Sequence, residues 1–126
     1  MAESRVNSKA GIDATTAFFD RLAEREHEPL LASTSGTLRF ELRNGRRTHY
    51  WYVAIEKGDI TVSRENAEAD AVVRADKSLF DGLATGRVNA MAATLRGALH
   101  ASGNLGLVMS FQRLFPGPPG SRRRKK

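Results

Sequence analysis

Alternating apolar and polar residues predict two neighbouring strands in the first half of the chain. The first covers about 38–43, where leucine and phenylalanine alternate with charged residues, and the second covers about 47–56 and carries Trp51 on its apolar face. This period of two predicts strands with one buried face and one wet face. Asn44-Gly45 lies between them and is a strong hairpin signal, so the two strands are expected to pair directly.

Three shorter strands are indicated further along the chain. A turn at 57–59 leads into a third strand at 60–62, and the polar loop 65–70 leads into a fourth at 71–75. We expect these four strands to form an antiparallel meander. A fifth strand is expected to begin near Gly97 and to break at Ser102-Gly103-Asn104, where glycine and two capping residues occur together.

Helical spacing of apolar residues predicts three helices before the last one. The first begins at the N-cap Asp13 and runs to about Glu26, and the second lies between the cap Asp76 and the terminator Gly86. The third repeats apolar residues at i, i+3, i+4 and i+7, which indicates one apolar face. The residues of that face are Val88, Met91, Ala92 and Leu95.

The last helix, from Asn104 to about Phe115, is apolar around more than half of its circumference. Pro116 ends it, since proline disfavours helical geometry in the residue before it. A surface helix needs only one apolar stripe, so this helix is expected to be buried on two sides. One side would meet the sheet, and the other would meet a second layer or a space for something apolar.

These elements predict one α+β domain, a five-stranded, mostly antiparallel sheet packed with helices. The length of 126 residues permits one domain with a core of its own. We expect the domain to cover residues 13–115, after a disordered N-terminus at 1–12. Residues 116–126 read as a linker rich in proline and glycine followed by a basic tail.

The chain offers little catalytic or metal-binding chemistry. It has no cysteine, which excludes disulfides and thiolate metal sites, and its three histidines, His27, His49 and His100, lack metal-ligand spacing. There is no nucleophile elbow, phosphate loop or dinucleotide fingerprint. We therefore expect no enzyme, no cofactor and no metal site. A polar N-terminus without a membrane span leads us to expect a cytoplasmic protein.

The net charge of +6 is concentrated at the end of the chain. Five of these charges belong to the candidate surface-anchoring residues Arg122, Arg123, Arg124, Lys125 and Lys126. Such a run is commonly a solvated, disordered terminus, but it also fits attraction to an anionic membrane or to nucleic acid. Tyr50-Trp51-Tyr52 could stack on bases, but aromatic residues are also good strand formers, and the remaining charge of +1 makes nucleic acid an unlikely partner for the folded part.

The order of residues in the second half resembles the type-2 sterol carrier protein family of non-specific lipid transfer proteins. The resemblance rests on Ala69-Asp-Ala-Val-Val-Arg-Ala-Asp76, Leu79-Phe80, Leu83-Ala-Thr-Gly86, Val88-Asn89 and Leu95-Arg-Gly97-Ala-Leu-His-Ala-Ser-Gly103-Asn-Leu-Gly106-Leu. It extends over roughly 16–118. It implies an apolar tunnel between sheet and helices that binds sterols, fatty acids, acyl-CoA or phospholipids, and it implies no catalysis.

The resemblance also gives a role to the helix that is apolar on two sides, because one side would line the tunnel. The residues then expected near ligand are Met91, Leu95, Leu107, Val108, Phe111 and Leu114, with Leu83 and Trp51 added from their position. Three interpretations stay open: a lipid carrier, a protein that binds nucleic acid or an anionic membrane through its tail, and an accessory domain of a partner enzyme. The sequence does not indicate the ligand or the oligomeric state.

Overall fold

A computed structural model describes residues 13–116 of the chain. The strands are β1 (Ser35–Asn44), β2 (Arg47–Glu56), β3 (Asp59–Ser63), β4 (Ala71–Asp76) and β5 (His100–Gly103). The helices are α1 (Ala14–Arg25), α2 (Lys77–Thr85), α3 (Ala90–Leu95) and α4 (Leu105–Gln112), with a 3-10 turn at Pro29–Leu31. The predicted terminus 1–12 and tail 117–126 lie outside the described residues.

The five strands form one mixed sheet in the order β3-β2-β1-β4-β5. Three of the four strand pairs are antiparallel, whereas β4 lies parallel to β1, with Glu41 opposite Arg74. The α+β class and the mostly antiparallel sheet are therefore confirmed. The expected four-stranded meander is wrong, because β4 does not pair with β3 but crosses to the far side of β1.

The connection between β3 and β4 explains this crossing. Residues 64–70 run over the face of the sheet opposite the helices, where polar side chains hold the backbone of the loop. The Tyr52 hydroxyl donates to the Glu68 carbonyl over 2.8 Å, and Arg39 Nη1 donates to the Ala67 carbonyl over 2.8 Å. Asp70 Oδ2 accepts from the Thr37 amide at 2.9 Å. The polar faces of β1 and β2 therefore hold the loop as the chain crosses from β3 to the far side of β1.

Two tight hairpins build the first three strands. Asn44 pairs with Arg47, so the first loop is Gly45-Arg46, one residue later than the Asn-Gly signal suggests. Gly45 has φ 68° and Arg46 has no positive φ, the pattern of a type II′ turn with glycine first. Lys57 and Gly58 both have positive φ, as a type I′ turn requires.

The core contains every phenylalanine of the chain and its one tryptophan. Phe40 on β1 contacts Phe19 of α1, Phe80 of α2 and Phe111 of α4, with ring centroids 5.1–5.7 Å apart. These three helices therefore lie on the same face of the sheet. We call the seven rings the aromatic cluster: Phe18, Phe19, Phe40, Trp51, Phe80, Phe111 and Phe115.

The last two helices differ from their sequence patterns. The helical turns of α4 end at Gln112 rather than near Phe115, and only one of its sides is buried, because Leu105 and Met109 are each 54% exposed. Helix α3 packs through Ala93, whereas Met91 and Leu95 are 49% and 79% exposed. Three residues of the apolar face predicted for α3, Met91, Ala92 and Leu95, therefore point outward, whereas Val88 lies before the helix and packs against the core.

The predicted helix caps are present, with one difference in detail. Asp13 accepts from Thr16 N at the start of α1, Asn104 accepts from Leu107 N at the start of α4, and Gly86 ends α2 in the left-handed region. Asp76 occupies the N-cap position of α2 but its side chain makes no capping hydrogen bond. Its carboxylate lies 3.9 Å from Arg43 Nε instead.

Helices α1 and α2 are joined at their N-terminal ends by a polar cluster. Lys77 Nζ lies 3.0 Å from Asp13 Oδ2 and 3.2 Å from Asp81 Oδ2, and Asp81 also accepts from the Thr15 amide and hydroxyl. Partial burial would raise the pKa of Asp13, but hydrogen bonds from Thr16 and Lys77 outweigh it and lower that pKa below 3.8. Burial would lower the pKa of Lys77, but its two carboxylates outweigh it and raise that pKa above 10.5.

We predict that Gly103→Ala lowers the free energy of unfolding by more than about 2 kcal/mol, since it adds a steric clash to an unfavourable φ. Gly103 has φ 88°, and a Cβ there would lie 2.3 Å from the carbonyl oxygen of Asp70, which directly precedes β4. Gly97→Ala is the control, because Gly97 has φ 77° and open space around it. Urea unfolding of both variants should show the larger loss at Gly103, and equal losses would contradict the packing argument.

We predict that Asp13→Asn lowers the free energy of unfolding at pH 7 by up to about 1 kcal/mol, because asparagine keeps the cap but loses the ion pair with Lys77. A carboxylate with a lowered folded-state pKa stabilises fully above its unfolded value, and this contribution is lost as the pH falls through the folded pKa. The difference in free energy of unfolding between the parent chain and Asp13→Asn should therefore become smaller below pH 3.8. Asp20→Asn, on the exposed side of α1, should show no such deficit in the same urea series.

Candidate functional site

Six of the eight residues predicted to contact ligand meet in one core. Trp51, Leu83, Leu107, Val108 and Phe111 are buried there, and Leu114 is partly buried against the same core. The other two, Met91 and Leu95, lie on the exposed face of α3. The structure thus brings the α2, α4 and β2 positions together beneath the sheet and leaves the α3 positions at the surface.

The aromatic cluster fills the space between the sheet and the helices. Phe19 stacks on Trp51 at 4.5 Å between centroids and 13° between planes, and on Phe80 at 5.4 Å and 7°. Phe18 extends the cluster towards the end of the described chain, with its ring 5.1 Å from that of Phe115 and 6.1 Å from that of Phe111. An apolar ligand placed here would contact ring faces and edges, and these rings would have to move to admit it.

A cleft of about 210 Å³ opens beside this core, between α1 and the segment after α4. Its apolar wall consists of Phe18, Leu22 and Leu114, and its rim carries Arg21 and Arg25. Arg25 is paired with Glu28, whereas Arg21 is exposed and makes no ion pair with any residue in 13–116. We call this opening the Arg21 cleft; its walls suit an alkyl chain and its rim suits an anionic head.

A larger cleft of about 740 Å³ lies on the outer side of the sheet and combines charged strand residues with Leu79, Val88 and Ala98. Glu41 in its floor accepts from Arg74 Nε at 2.8 Å and from Arg39 Nε at 2.9 Å. Partial burial would raise the pKa of Glu41, but its bonds to Arg74 and Arg39 outweigh burial and lower that pKa. The charged strand residues of this cleft therefore interact mainly with each other.

A third, smaller space of about 180 Å³ lies at the Trp51 end of the core and is lined mostly by polar residues. The guanidinium carbon of Arg64 lies 4.0 Å from the Trp51 ring centroid, a cation–π distance. Nε2 of His49 is buried there and has no hydrogen-bond partner among residues 13–116. Because Trp51 is stacked on Phe19 and covered by Arg64, its ring is unavailable for stacking on nucleic-acid bases.

Within residues 13–116, no group of three or more histidine, aspartate or glutamate side chains has the arrangement of a metal site. No helix in this range is long and apolar enough to cross a membrane. The candidate anchoring residues 122–126 lie outside the described part of the chain.

The two clefts were not found from the sequence, because each joins segments that are distant along it. Phe18 and Leu114 form one wall of the Arg21 cleft although 95 residues separate them. Arg21 gave no signal beyond its position on the polar side of α1. The pattern of apolar residues in α1 shows which side of the helix is buried, but not that the segment after α4 packs beside it.

Comparison with known proteins gives the same fold and a family. Human sterol carrier protein 2 is 28% identical over 109 residues, which cover 82% of this chain and 20% of that protein. The solution structure of sterol carrier protein domain 2 of Helicoverpa armigera superimposes with a TM-score of 0.66 at 23% identity, covering 81% of this chain and 85% of that one. The chain thus spans about a fifth of the length of the curated relative and 85% of the isolated domain.

The same fold also forms part of an enzyme. The stereoselective inverting sec-alkylsulfatase Pisa1 from Pseudomonas sp. matches with a TM-score of 0.64 at 20% identity, over 79% of this chain and 16% of that one. At this identity the likeness shows the fold alone.

A family model described as the SCP-2 sterol transfer family matches residues 16–116, which include the whole sheet, all but the first two residues of α1, and the other helices. The match includes the aromatic cluster and the Arg21 cleft. On this match over most of its length, the chain belongs to the SCP-2 sterol transfer family.

Proposed function

We propose that this chain binds an apolar ligand between its sheet and helices and acts as a lipid carrier without chemistry of its own. The observation that carries the proposal is the family match over 16–116, which includes the whole apolar core. The ligand classes are those of a carrier of this kind: sterol, fatty acid, acyl-CoA or phospholipid. The proposed contacts are Trp51, Leu83, Met91, Leu95, Leu107, Val108, Phe111 and Leu114.

Energetics favour a ligand space that opens with the ligand rather than one that stands empty. An empty apolar cavity of about 300 Å³ would cost roughly 7 kcal/mol at ~24 cal/mol per Å³. That is comparable with the whole stability of a small domain, about 5–15 kcal/mol. The aromatic cluster instead fills the interior, so we propose that ligand entry displaces rings at the end of the cluster nearest Phe18 and Phe115.

The Arg21 cleft supports an amphiphile with an acidic head over a neutral sterol. Its floor meets the aromatic cluster at Phe18, so an alkyl chain entering there would continue into the core. Arg21 stands at the rim without a carboxylate of its own among the described residues, where an anionic head would supply one. We therefore favour a fatty acid or another acidic lipid as the ligand.

A second candidate function is that of an accessory domain that presents lipid to an enzyme. It is favoured by the occurrence of this fold within the much longer alkylsulfatase chain and by the fifth of human sterol carrier protein 2 that this chain spans. Catalytic groups would then be supplied by a partner, which co-purification would identify. A cytoplasmic location, and binding of the tail to membranes or nucleic acid, stay predictions.

We predict that an added fatty acid raises the melting temperature, because a ligand that binds only the folded state stabilises it by mass action. At a free concentration 100 times Kd the gain is about 2.7 kcal/mol, or roughly 10 °C for a domain of this size. Thermal unfolding with palmitate, palmitoyl-CoA, cholesterol and phosphatidylcholine measures it, with native mass spectrometry for stoichiometry. Identical melting curves across the whole set would count against the carrier proposal.

The position of the ligand is tested with two leucines. Leu114→Asp is expected to lower ligand affinity by more than about tenfold, because it places a charge against the apolar chain, whereas Leu30→Asp should leave affinity unchanged. Leu114 lines the Arg21 cleft, and Leu30 is 52% exposed elsewhere on the surface. Leu114→Ser provides a milder change if the aspartate variant unfolds. Equal affinities for all variants would place the ligand elsewhere.

We predict that Arg21→Gln weakens palmitate binding by up to about fivefold while leaving cholesterol binding unchanged, because only the acid offers a charge to pair with. Arg46→Gln is the matched control, since Arg46 is an exposed arginine in the β1–β2 turn. Isothermal titration of both variants with both ligands gives the comparison. An equal loss for cholesterol would show that Arg21 acts through packing rather than through charge.

A further inference from the structure

The charges of this chain are divided sharply along its length. All 14 acidic residues lie within residues 1–81, which also carry 12 basic residues. Residues 82–126 contain no aspartate or glutamate and eight arginines and lysines. The second part therefore carries +8, and three of its cations, Arg87, Arg96 and Arg113, are exposed on the folded domain. Such an asymmetry indicates a surface that meets an anionic partner.

Exposed apolar side chains are concentrated in the same part of the chain. Four of the five large exposed apolar residues belong to it, and the exception is Leu30. The four are Met91, Leu95, Leu105 and Met109. Leu95 is 79% exposed, the highest value among them. Single exposed leucines are common on protein surfaces. The informative observation is that these four residues lie in the part of the chain that has no aspartate or glutamate.

Helix α3 combines both features within one short segment. Met91, Ala92 and Leu95 are exposed, and Ala93 alone is fully buried. Arg87 lies just before the helix and Arg96 is its C-cap. Neither arginine makes an ion pair with a carboxylate in the described range; Arg87 Nε only approaches the Thr85 hydroxyl, at 3.3 Å. We call this segment, residues 87–96, the α3 surface.

We propose that the α3 surface docks on an anionic lipid bilayer. Its leucine and methionine would enter the boundary between headgroups and acyl chains, as the apolar side of an interfacial helix does. Arg87 and Arg96 would meet lipid phosphates and carboxylates, while their alkyl stems stay at the apolar boundary. The remaining cations of residues 82–126 add long-range attraction to the same charge.

Other occupants fit the α3 surface less well. A second copy that met this one through the same segment would bring Arg87 and Arg96 against like charges, with no acidic residue in the segment to neutralise them. A nucleic acid would find cations but no aromatic side chain in residues 87–96, whereas bases are held by stacking. Transfer of the exposed Met91 and Leu95 side chains out of water lowers the free energy. A lipid surface provides an apolar environment for this transfer, whereas a phosphate backbone does not.

The inference goes beyond the proposed function, because docking on vesicles can be measured without a ligand bound in the core. A carrier that meets membranes through α3 would hold its donor or acceptor bilayer beside residues that are also proposed ligand contacts. Loss of docking in the Arg87→Gln and Arg96→Gln variant, whose residues are not proposed ligand contacts, should leave ligand binding in solution unaffected. Failure to bind ligand would likewise leave docking measurable.

The experiment is co-sedimentation of the full chain with vesicles of phosphatidylcholine alone or with added phosphatidylserine. We expect binding only to the mixed vesicles, weakened by salt. Arg87→Gln with Arg96→Gln should lower the partition coefficient about fivefold per arginine, and Leu95→Ser about tenfold. The matched controls are Arg46→Gln with Arg47→Gln and Leu30→Ser, which alter exposed residues outside the α3 surface.

Insertion is read separately with a fluorophore, because the chain has no cysteine of its own. A dye on Ala92→Cys should shift to shorter wavelength with anionic vesicles, and a dye on Thr61→Cys, an exposed position on β3, should not. The proposal is overturned if the α3 variants bind like the parent chain and only removal of residues 122–126 abolishes binding. It is equally overturned if duplex DNA, and not the vesicles, shows the loss at Arg87 and Arg96.

Discussion

The structure depends on the stacking of Phe19 between Trp51 and Phe80. Phe19 is fully buried on α1, and its two neighbours belong to β2 and α2, so one ring joins three elements that are distant in sequence. Offset and edge-to-face contacts of such rings add about 0.5–1.5 kcal/mol each beyond the area they bury. The sheet, α1 and α2 therefore form one packed unit, against which α4 places Phe111. A ligand would have to compete with these same ring contacts.

Polar groups on the outer face of the sheet join its inner strands and hold the loop that leads to β4. Glu41 and Arg74 face each other across the parallel pair of β1 and β4, and Arg39 supports the same carboxylate. The loop that leads to β4 is held by hydrogen bonds to its backbone carbonyls and to the Asp70 carboxylate. The outer face of the sheet is thus polar because it holds the chain, while the inner face is apolar because it faces the helices.

Local patterns in the sequence predicted the elements well and their neighbours less well. The bounds of β2 and the buried face through Trp51 follow from a period of two, and caps such as Asp13 and Asn104 follow from single residues. The pairing of β4 with β1 does not follow, because alternation identifies the faces of a strand and not the strand beside it. The exposure of one face of α3 was not predicted for a similar reason. A helical period of 3.6 residues shows that Met91 and Leu95 share a side of the helix, but not what covers that side. The resemblance supplied the family, and the clefts required the folded chain.

Trp51 has a consequence for how this protein can be observed. It is the one tryptophan of the chain. The centroid of its indole ring lies 4.5 Å from that of the Phe19 ring, and the guanidinium carbon of Arg64 lies 4.0 Å from the indole centroid. Indole emission from this protein therefore reports on a single place, the end of the aromatic cluster beneath β2. Any rearrangement that separates Phe19 from Trp51 or moves Arg64 changes the polarity and the quenching around that one chromophore. The molecule thus carries its own label for any rearrangement at that end of its core.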